Sequence, residues 1–153
     1  RKRILLTGMS GTGKSTVISE LAARGYPALD LDDPNWSEYG ADGDWRWRED
    51  RVEALLSHAE GKVLFVSGCA ENQGKFYPKF EEIVLLSAPA AVIVERLRTR
   101  TNNSYGKRPD ELADTLYYLE TVEPLLRQGA GHEIVTTARL DQVVATVLQL
   151  LDP

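Results

Sequence analysis

The sequence predicts an α/β domain of three layers, a parallel β-sheet covered by helices on both faces. Two observations predict it. Short continuous apolar runs alternate with longer stretches of helical period, and a glycine-rich loop separates the first run from the first helical stretch. Parallel strands are buried on both faces and therefore read as continuous apolar runs. Their alternation with helices is the signature of βαβ units, whose right-handed crossovers place helices on both sides of the sheet. With 153 residues and 17.0 kDa, the expectation is one domain spanning residues 1–153.

The elements follow in order. Ile4–Thr7 is the first strand-like run, and Val17, Ile18, Leu21 and Ala22 give the following helix an apolar face. Tyr26–Leu29 is the second run. Val52, Leu55, Leu56 and Ala59 repeat at i, i+3, i+4 and i+7, the spacing of one helical face. Val63–Val66 and Ile83–Leu86 are the third and fourth runs. Leu112, Leu116, Leu119 and Leu126 suggest a further helix, with Asp110 and Glu111 suited to its positive N-terminal end. Glu133–Val135 is the last run. Leu140, Val143, Val144, Val147, Leu148 and Leu151 form the closing helical face.

Composition narrows the function. Hydrophobic residues are 42% and charged residues 27% of the chain, which is globular rather than disordered. The net charge of −5 disfavours nucleic acid as a partner, because that surface must be basic. A lone cysteine, Cys69, permits no internal disulfide and suggests a cytoplasmic protein. With only two histidines beside it, a zinc site is not expected. Arg1-Lys2-Arg3 followed by Ile4-Leu5-Leu6 has the order of a secretion signal, but the apolar run ends at Thr7-Gly8. The longest apolar stretch, Ile83 to Val94, is broken by Ser87 and Pro89, so no membrane association is expected.

Gly8-Met9-Ser10-Gly11-Thr12-Gly13-Lys14-Ser15 fits the pattern G-x-x-x-x-G-K-[ST] without a mismatch. Four fixed positions recur by chance in roughly 1% of chains this long or fewer. The chemistry explains each residue. Gly8, Gly11 and Gly13 let backbone N–H groups close around phosphate oxygens, with Ser10, Thr12 and Thr16 in the same wrap. The following helix adds its positive end. Lys14 reaches the β and γ phosphates, and the Ser15 hydroxyl ligates Mg²⁺. The expectation is a site for a nucleoside triphosphate.

Three further stretches stand out. Leu29-Asp30-Leu31-Asp32-Asp33 follows the second run and so lies at the carboxyl edge of the sheet, where α/β proteins bind ligands. A turn, or a cap before Pro34, would use the same residue type. From Ala28 to Asp50 there are eight acidic and two basic residues, whereas Arg96 to Arg108 holds five basic and no acidic ones. Trp36, Trp45 and Trp47, all the tryptophans of the chain, fall in the acidic stretch. They would either stack on an acceptor or cap the core. After the third run, Ser67-Gly68-Cys69 lacks the Walker B aspartate that motor proteins and switch GTPases carry there.

On these motifs the chain resembles the nucleoside monophosphate kinase-like group, and within it the shikimate and gluconate kinases. The resemblance covers essentially the whole chain. It implies a five-stranded parallel sheet of order 2-3-1-4-5 with a short lid at about residues 101–109. It implies ATP and Mg²⁺, a small-molecule acceptor, and a monomer or small homo-oligomer. Asp30 would hold waters of the metal, and Asp32 would face the acceptor and take its proton. Trp45-Arg46-Trp47-Arg48-Glu49 is similar to the start of the shikimate kinase substrate helix, so Arg46, with Arg48 as a substitute, would grip an acceptor anion. Gly68 and Asn72 would touch the acceptor. Glu95-Arg96-Leu97-Arg98-Thr99-Arg100 and the loop after it match the lid, with Arg108 or Lys107 on the transferred phosphate and Arg96 or Arg100 beside the base. Thr136-Thr137-Ala138-Arg139 matches the adenine loop, with Arg139 at the nucleotide. The chain departs from the shikimate kinase pattern at Gly68, the one survivor of three glycines, and at Val122, which replaces a substrate-binding arginine.

The function expected is an ATP-dependent kinase acting on a hydroxyl group. A nucleoside monophosphate kinase is the alternative, and a nucleotide-binding regulatory module that transfers nothing is another. An ionised phosphate acceptor needs no base, so Asp32 separates the first two.

Overall fold

The structure is a computed structural model that describes residues 2–58, 61, 63–101 and 103–152. Ala59 of the second helical face and Asn102 of the expected lid lie outside the described residues. The elements run β1 (Lys2–Thr7), α1 (Lys14–Ala23), β2 (Ala28–Asp30), β3 (Ser37–Tyr39), β4 (Trp45–Trp47), α2 (Glu49–His58) and β5 (Val63–Ser67). A 3-10 helix covers Gln73–Lys79. Then come β6 (Glu82–Ser87), α3 (Ala90–Thr99), α4 (Pro109–Thr121), α5 (Glu123–Gly129), β7 (His132–Val135) and α6 (Leu140–Leu148), with a last 3-10 turn at Gln149–Leu151.

Five strands form one sheet in the order β2-β5-β1-β6-β7, and every pair is parallel. Counted among the five expected runs, this is the order 2-3-1-4-5. Strand parity divides the core. Ile4 and Leu6 of β1, Phe65 of β5, and Val84 and Leu86 of β6 face α1 and α6, where Val17, Leu21, Val143, Val144 and Val147 are buried. Leu5, Leu64 and Val66 face the other side, against Val52 and Leu56 of α2 and Phe76 and Phe80 near the 3-10 helix. A third cluster joins Met9 and Leu85 to Leu126 of α5. Both faces of the central strands are therefore covered, which is why they read as unbroken apolar runs.

Local signals set the helix ends. Gly13 caps α1 in the left-handed region at φ 97°. Glu49 and Asp50 occupy the first turn of α2, and Pro109 opens α4 with Asp110 and Glu111 behind it.

Two expectations change. The leucines from Leu112 to Leu126 do not share one helix. The path breaks at Val122, because Pro124 lacks an N–H and fits only the first turn of a new helix, α5. Trp45–Trp47 is not the start of a helix either. It is β4, paired antiparallel with β3 in a two-stranded hairpin apart from the main sheet. Alternating large residues suit a strand, and α2 begins only at Glu49.

Candidate active site

The loop from Gly8 to Gly13 leaves β1 at the carboxyl edge of the sheet and enters α1. A Cβ on Gly8 would lie 2.4 Å from the Leu86 carbonyl oxygen, so no other residue fits there. The Thr12 hydroxyl donates to the Met9 carbonyl at 2.7 Å and ties the loop to itself. Lys14 Nζ lies over the loop, donating to the Gly8 and Met9 carbonyls at 2.6 and 3.1 Å. The first-turn N–H groups of α1 have no partner within the helix and no side-chain cap, so they present donors and a positive end to an anion.

A clamp holds this loop from the side. Arg96 of α3 donates to the Gly11 carbonyl at 3.2 Å, to the Thr136 hydroxyl at 2.9 Å and to the Thr136 carbonyl at 2.7 Å. The Thr136 hydroxyl in turn donates to the Thr12 carbonyl at 2.7 Å. Leu97, one residue on, is fully buried and lies against the bare backbone of Gly11 and of Gly106.

A cavity of about 470 Å³ opens along this loop. Of the residues expected from the sequence it brings together Ser10, Gly11, Gly13, Lys14, Ser15, Thr16, Asp30, Asp32, Arg96 and Arg100. Thr99, Asn103, Ala138 and Leu140 also line it. Gly8 and Thr12 stand behind the lining and shape the loop. Arg139 does not line the cavity; it is exposed and pairs with Asp141 at 3.4 Å. Arg108 is also exposed and pairs with Asp110 at 3.3 Å. Lys107 donates to the Arg98 carbonyl at the end of α3, at 2.8 Å. Arg100 donates to the Asn103 and Tyr105 carbonyls, and so ties the residues after α3 together.

The paired aspartates meet at the sheet edge. Asp30 is in register with Ser67 of β5. Its Oδ1 accepts from the Asp32 N–H at 2.9 Å and from the Ser67 hydroxyl at 3.5 Å. Asp32 Oδ1 accepts from the Cys69 N–H at 3.2 Å and from Trp45 Nε1 at 3.3 Å. Burial pushes the Asp32 carboxyl above the usual range; Lys14 opposes that rise and Asp30 adds to it. The Cys69 thiol is also pushed up, chiefly by burial, which leaves it protonated and a poor nucleophile.

Strand parity decides the hairpin side chains. Trp45 and Trp47 face inward and Arg46 outward. Trp47 is 1% exposed and packs on Phe76, so it belongs to the core. Arg46 pairs with Glu71 at 2.7 Å, and Arg48 with Glu38 at 2.8 Å and the Pro34 carbonyl at 3.2 Å. Neither arginine lines the cavity. Asn72 is buried, exchanging hydrogen bonds with both backbone groups of Trp47, and it fixes the hairpin to the 3-10 helix. Gly68 gives Trp47 and Asp32 room to approach, since a Cβ there would stand 3.1 Å from Trp47 Nε1 and 3.2 Å from Asp32 Oδ1.

Magnesium fits the oxygens present. Ser15 and Asp30 both line the cavity, and no cluster of three or more potential ligands occurs among the described residues. Mg²⁺ takes one or two protein oxygens, with phosphate and water completing its shell. When bound, it supplies charge that neutralises phosphate oxygens. No helix among the described residues is long and apolar enough to cross a membrane.

Comparison with known proteins bears on the same features. No curated protein matches the chain. A family profile described as an AAA domain matches residues 4–117. Among solved structures, a shikimate kinase from Bacteroides thetaiotaomicron is 24% identical, with a TM-score of 0.70 and 99% of each chain covered. A gluconokinase from Sinorhizobium meliloti 1021 is 20% identical, with a TM-score of 0.60, covering 98% of this chain and 91% of that one. A deoxyadenosine kinase from M. mycoides with bound dATP is 11% identical, with a TM-score of 0.66 and 100% of each chain covered. The chain belongs to the AAA-domain family, and its fold is that of the P-loop small-molecule kinases.

Proposed function

We propose that this protein is an ATP-dependent kinase that transfers the γ-phosphoryl group to a hydroxyl of a small-molecule acceptor. One observation carries the reading. Lys14 and Asp32 line the same cavity, with Asp32 partly buried and its carboxyl raised by that burial. In this reading Asp32 takes the proton from the acceptor hydroxyl. The hydroxyl oxygen bonds to the γ phosphorus as the bond to the bridging oxygen breaks, and ADP leaves. Lys14 and the N–H groups of the loop hold the charge on the phosphoryl oxygens. Ser15 and Asp30 would hold Mg²⁺. Arg96 and Thr136 keep the loop in its binding shape. Arg108 remains a candidate for the transferred phosphate if the 101–109 segment folds inward on binding.

The test is an ADP-release screen of sugars, sugar acids, nucleosides, nucleotides and aminoglycosides with Mg·ATP. Lys14→Ala should abolish turnover while the fold persists. Asp32→Asn should lower it by about 10² or more. If Asp32→Asn leaves turnover on every acceptor intact, the hydroxyl-kinase reading fails and a nucleoside monophosphate kinase takes its place. Tight nucleotide binding with no acceptor-dependent ADP release would leave a non-catalytic binding module.

A further inference from the structure

We propose that Trp45 is a positioning residue for Asp32: the indole N–H and the Cys69 backbone N–H pin Oδ1, and Oδ2 is the oxygen presented to the acceptor hydroxyl. The inference rests on the phosphotransferase reading and gives Trp45 a role that the motif pattern does not assign to it. Among the described residues, both hydrogen bonds that reach the Asp32 carboxylate end on Oδ1. They come from two separate elements, the β4 strand and the loop after β5. A base transfers a proton well only when its lone pair is aimed at that proton, so fixing one oxygen sets the direction of the other.

The indole is itself held. Trp45 pairs with Tyr39 across the hairpin, and the two rings meet edge to face with centroids 4.8 Å apart. The Trp45 carbonyl accepts from the Glu71 N–H at 2.9 Å, which joins the hairpin to the loop after β5. Trp47 closes the space behind. Its Nε1 is buried without a hydrogen-bond partner and stands beside Gly68, on the same spot that Asp32 Oδ1 approaches. The Trp45 indole and the Cys69 backbone N–H thus converge on one carboxylate oxygen. Arg46, between the two tryptophans, is turned to Glu71 by the strand alternation. In this chain the hairpin offers the acceptor side an indole rather than a guanidinium.

The first arm of the test needs no acceptor. Protein labelled with ¹⁵N at tryptophan is compared by NMR, at one pH, with its Asp32→Ala variant, which removes the accepting oxygen. The Trp45 indole N–H signal should move to higher field and exchange faster with water in Asp32→Ala. Where an acceptor is found, Trp45→Phe, which keeps a ring against Tyr39, should slow ADP release by roughly 10- to 100-fold through kcat, with KM for ATP unchanged. A Trp45 indole signal that is the same in Asp32→Ala, or a kcat unmoved in Trp45→Phe, overturns the proposal. Asp32-dependent ADP release without this coupling would sink the role of Trp45 alone. Coupling without ADP release for any acceptor would sink the kinase reading, and with it a catalytic meaning for the contact.

Discussion

Asp32 carries opposite demands. Its carboxyl is raised by burial above the unfolded value of 3.8, so the folded state binds the proton more tightly than the unfolded chain does. Its contribution to stability is therefore full below pH 3.8 and is lost as the pH rises through the folded midpoint. Asp32→Asn removes a charge that is costly to bury. Its melting temperature should exceed that of the native protein at neutral pH, and the gain should disappear below about pH 4. Thermal melts at the two pH values check this, and the same substitution should lower turnover by about 10² or more. Gly68 offers a second test at this scale. A methyl group there meets a fully buried indole that has nowhere to move. Gly68→Ala should cost about 1–3 kcal/mol in denaturant titration. It should also impair ADP release, because the atoms that must give way are those around the Asp32 carboxylate.

Among the elements, α3 has the widest influence on the site. One of its residues, Arg96, clamps the phosphate loop to Thr136, and the next, Leu97, packs against Gly11 of that loop and Gly106 of the 101–109 segment. Leu97→Ala should destabilise the protein by about 2–5 kcal/mol, as expected for a fully buried leucine. It should also raise KM for ATP, since both walls it supports border the cavity. Equilibrium unfolding and steady-state kinetics separate the two effects. The role of α3 was only partly legible. Its Glu-Arg-Leu run was visible in sequence, but the contact of Arg96 with a threonine 40 residues away was not. The hairpin was less legible still. Trp45-Arg46-Trp47-Arg48-Glu49 resembles the start of the shikimate kinase substrate helix, and the resemblance implied a helix with an anion-gripping arginine. Pairing with Ser37–Tyr39 made it a strand instead, and the period of two exchanged the arginine for the indoles on the side of Asp32. The split between α4 and α5 had a visible signal in Pro124, whose effect the even leucine spacing masked.

At the scale of the whole molecule, the nucleotide cavity draws on the loop after β1, the end of β2, α3, and the segment between β7 and α6. A ligand held by so many separate elements should stabilise the fold as a unit. Mg·ATP at 100 times its Kd should add about 2.7 kcal/mol to unfolding, seen as a rise in melting temperature that Lys14→Ala removes. The net charge of −5 also acquires a spatial meaning. The eight acidic residues from Ala28 to Asp50 lie on the elements from β2 to α2 that carry Asp30 and Asp32, and the five basic residues from Arg96 to Arg108 on α3 and the segment after it. The sequence alone determined the five strand runs of the sheet and the phosphate loop, because each depends on the preferences of residues adjacent in the chain. Gly8 to Ser15 forms its cradle from contiguous N–H groups, and so it could be read directly. Only the tertiary structure decided which side chains surround Asp32. Cys69 reaches it across 37 residues, and Thr136 reaches the loop across 124. Such contacts follow from strand pairing and parity, where a shift of one residue turns every side chain to the opposite face.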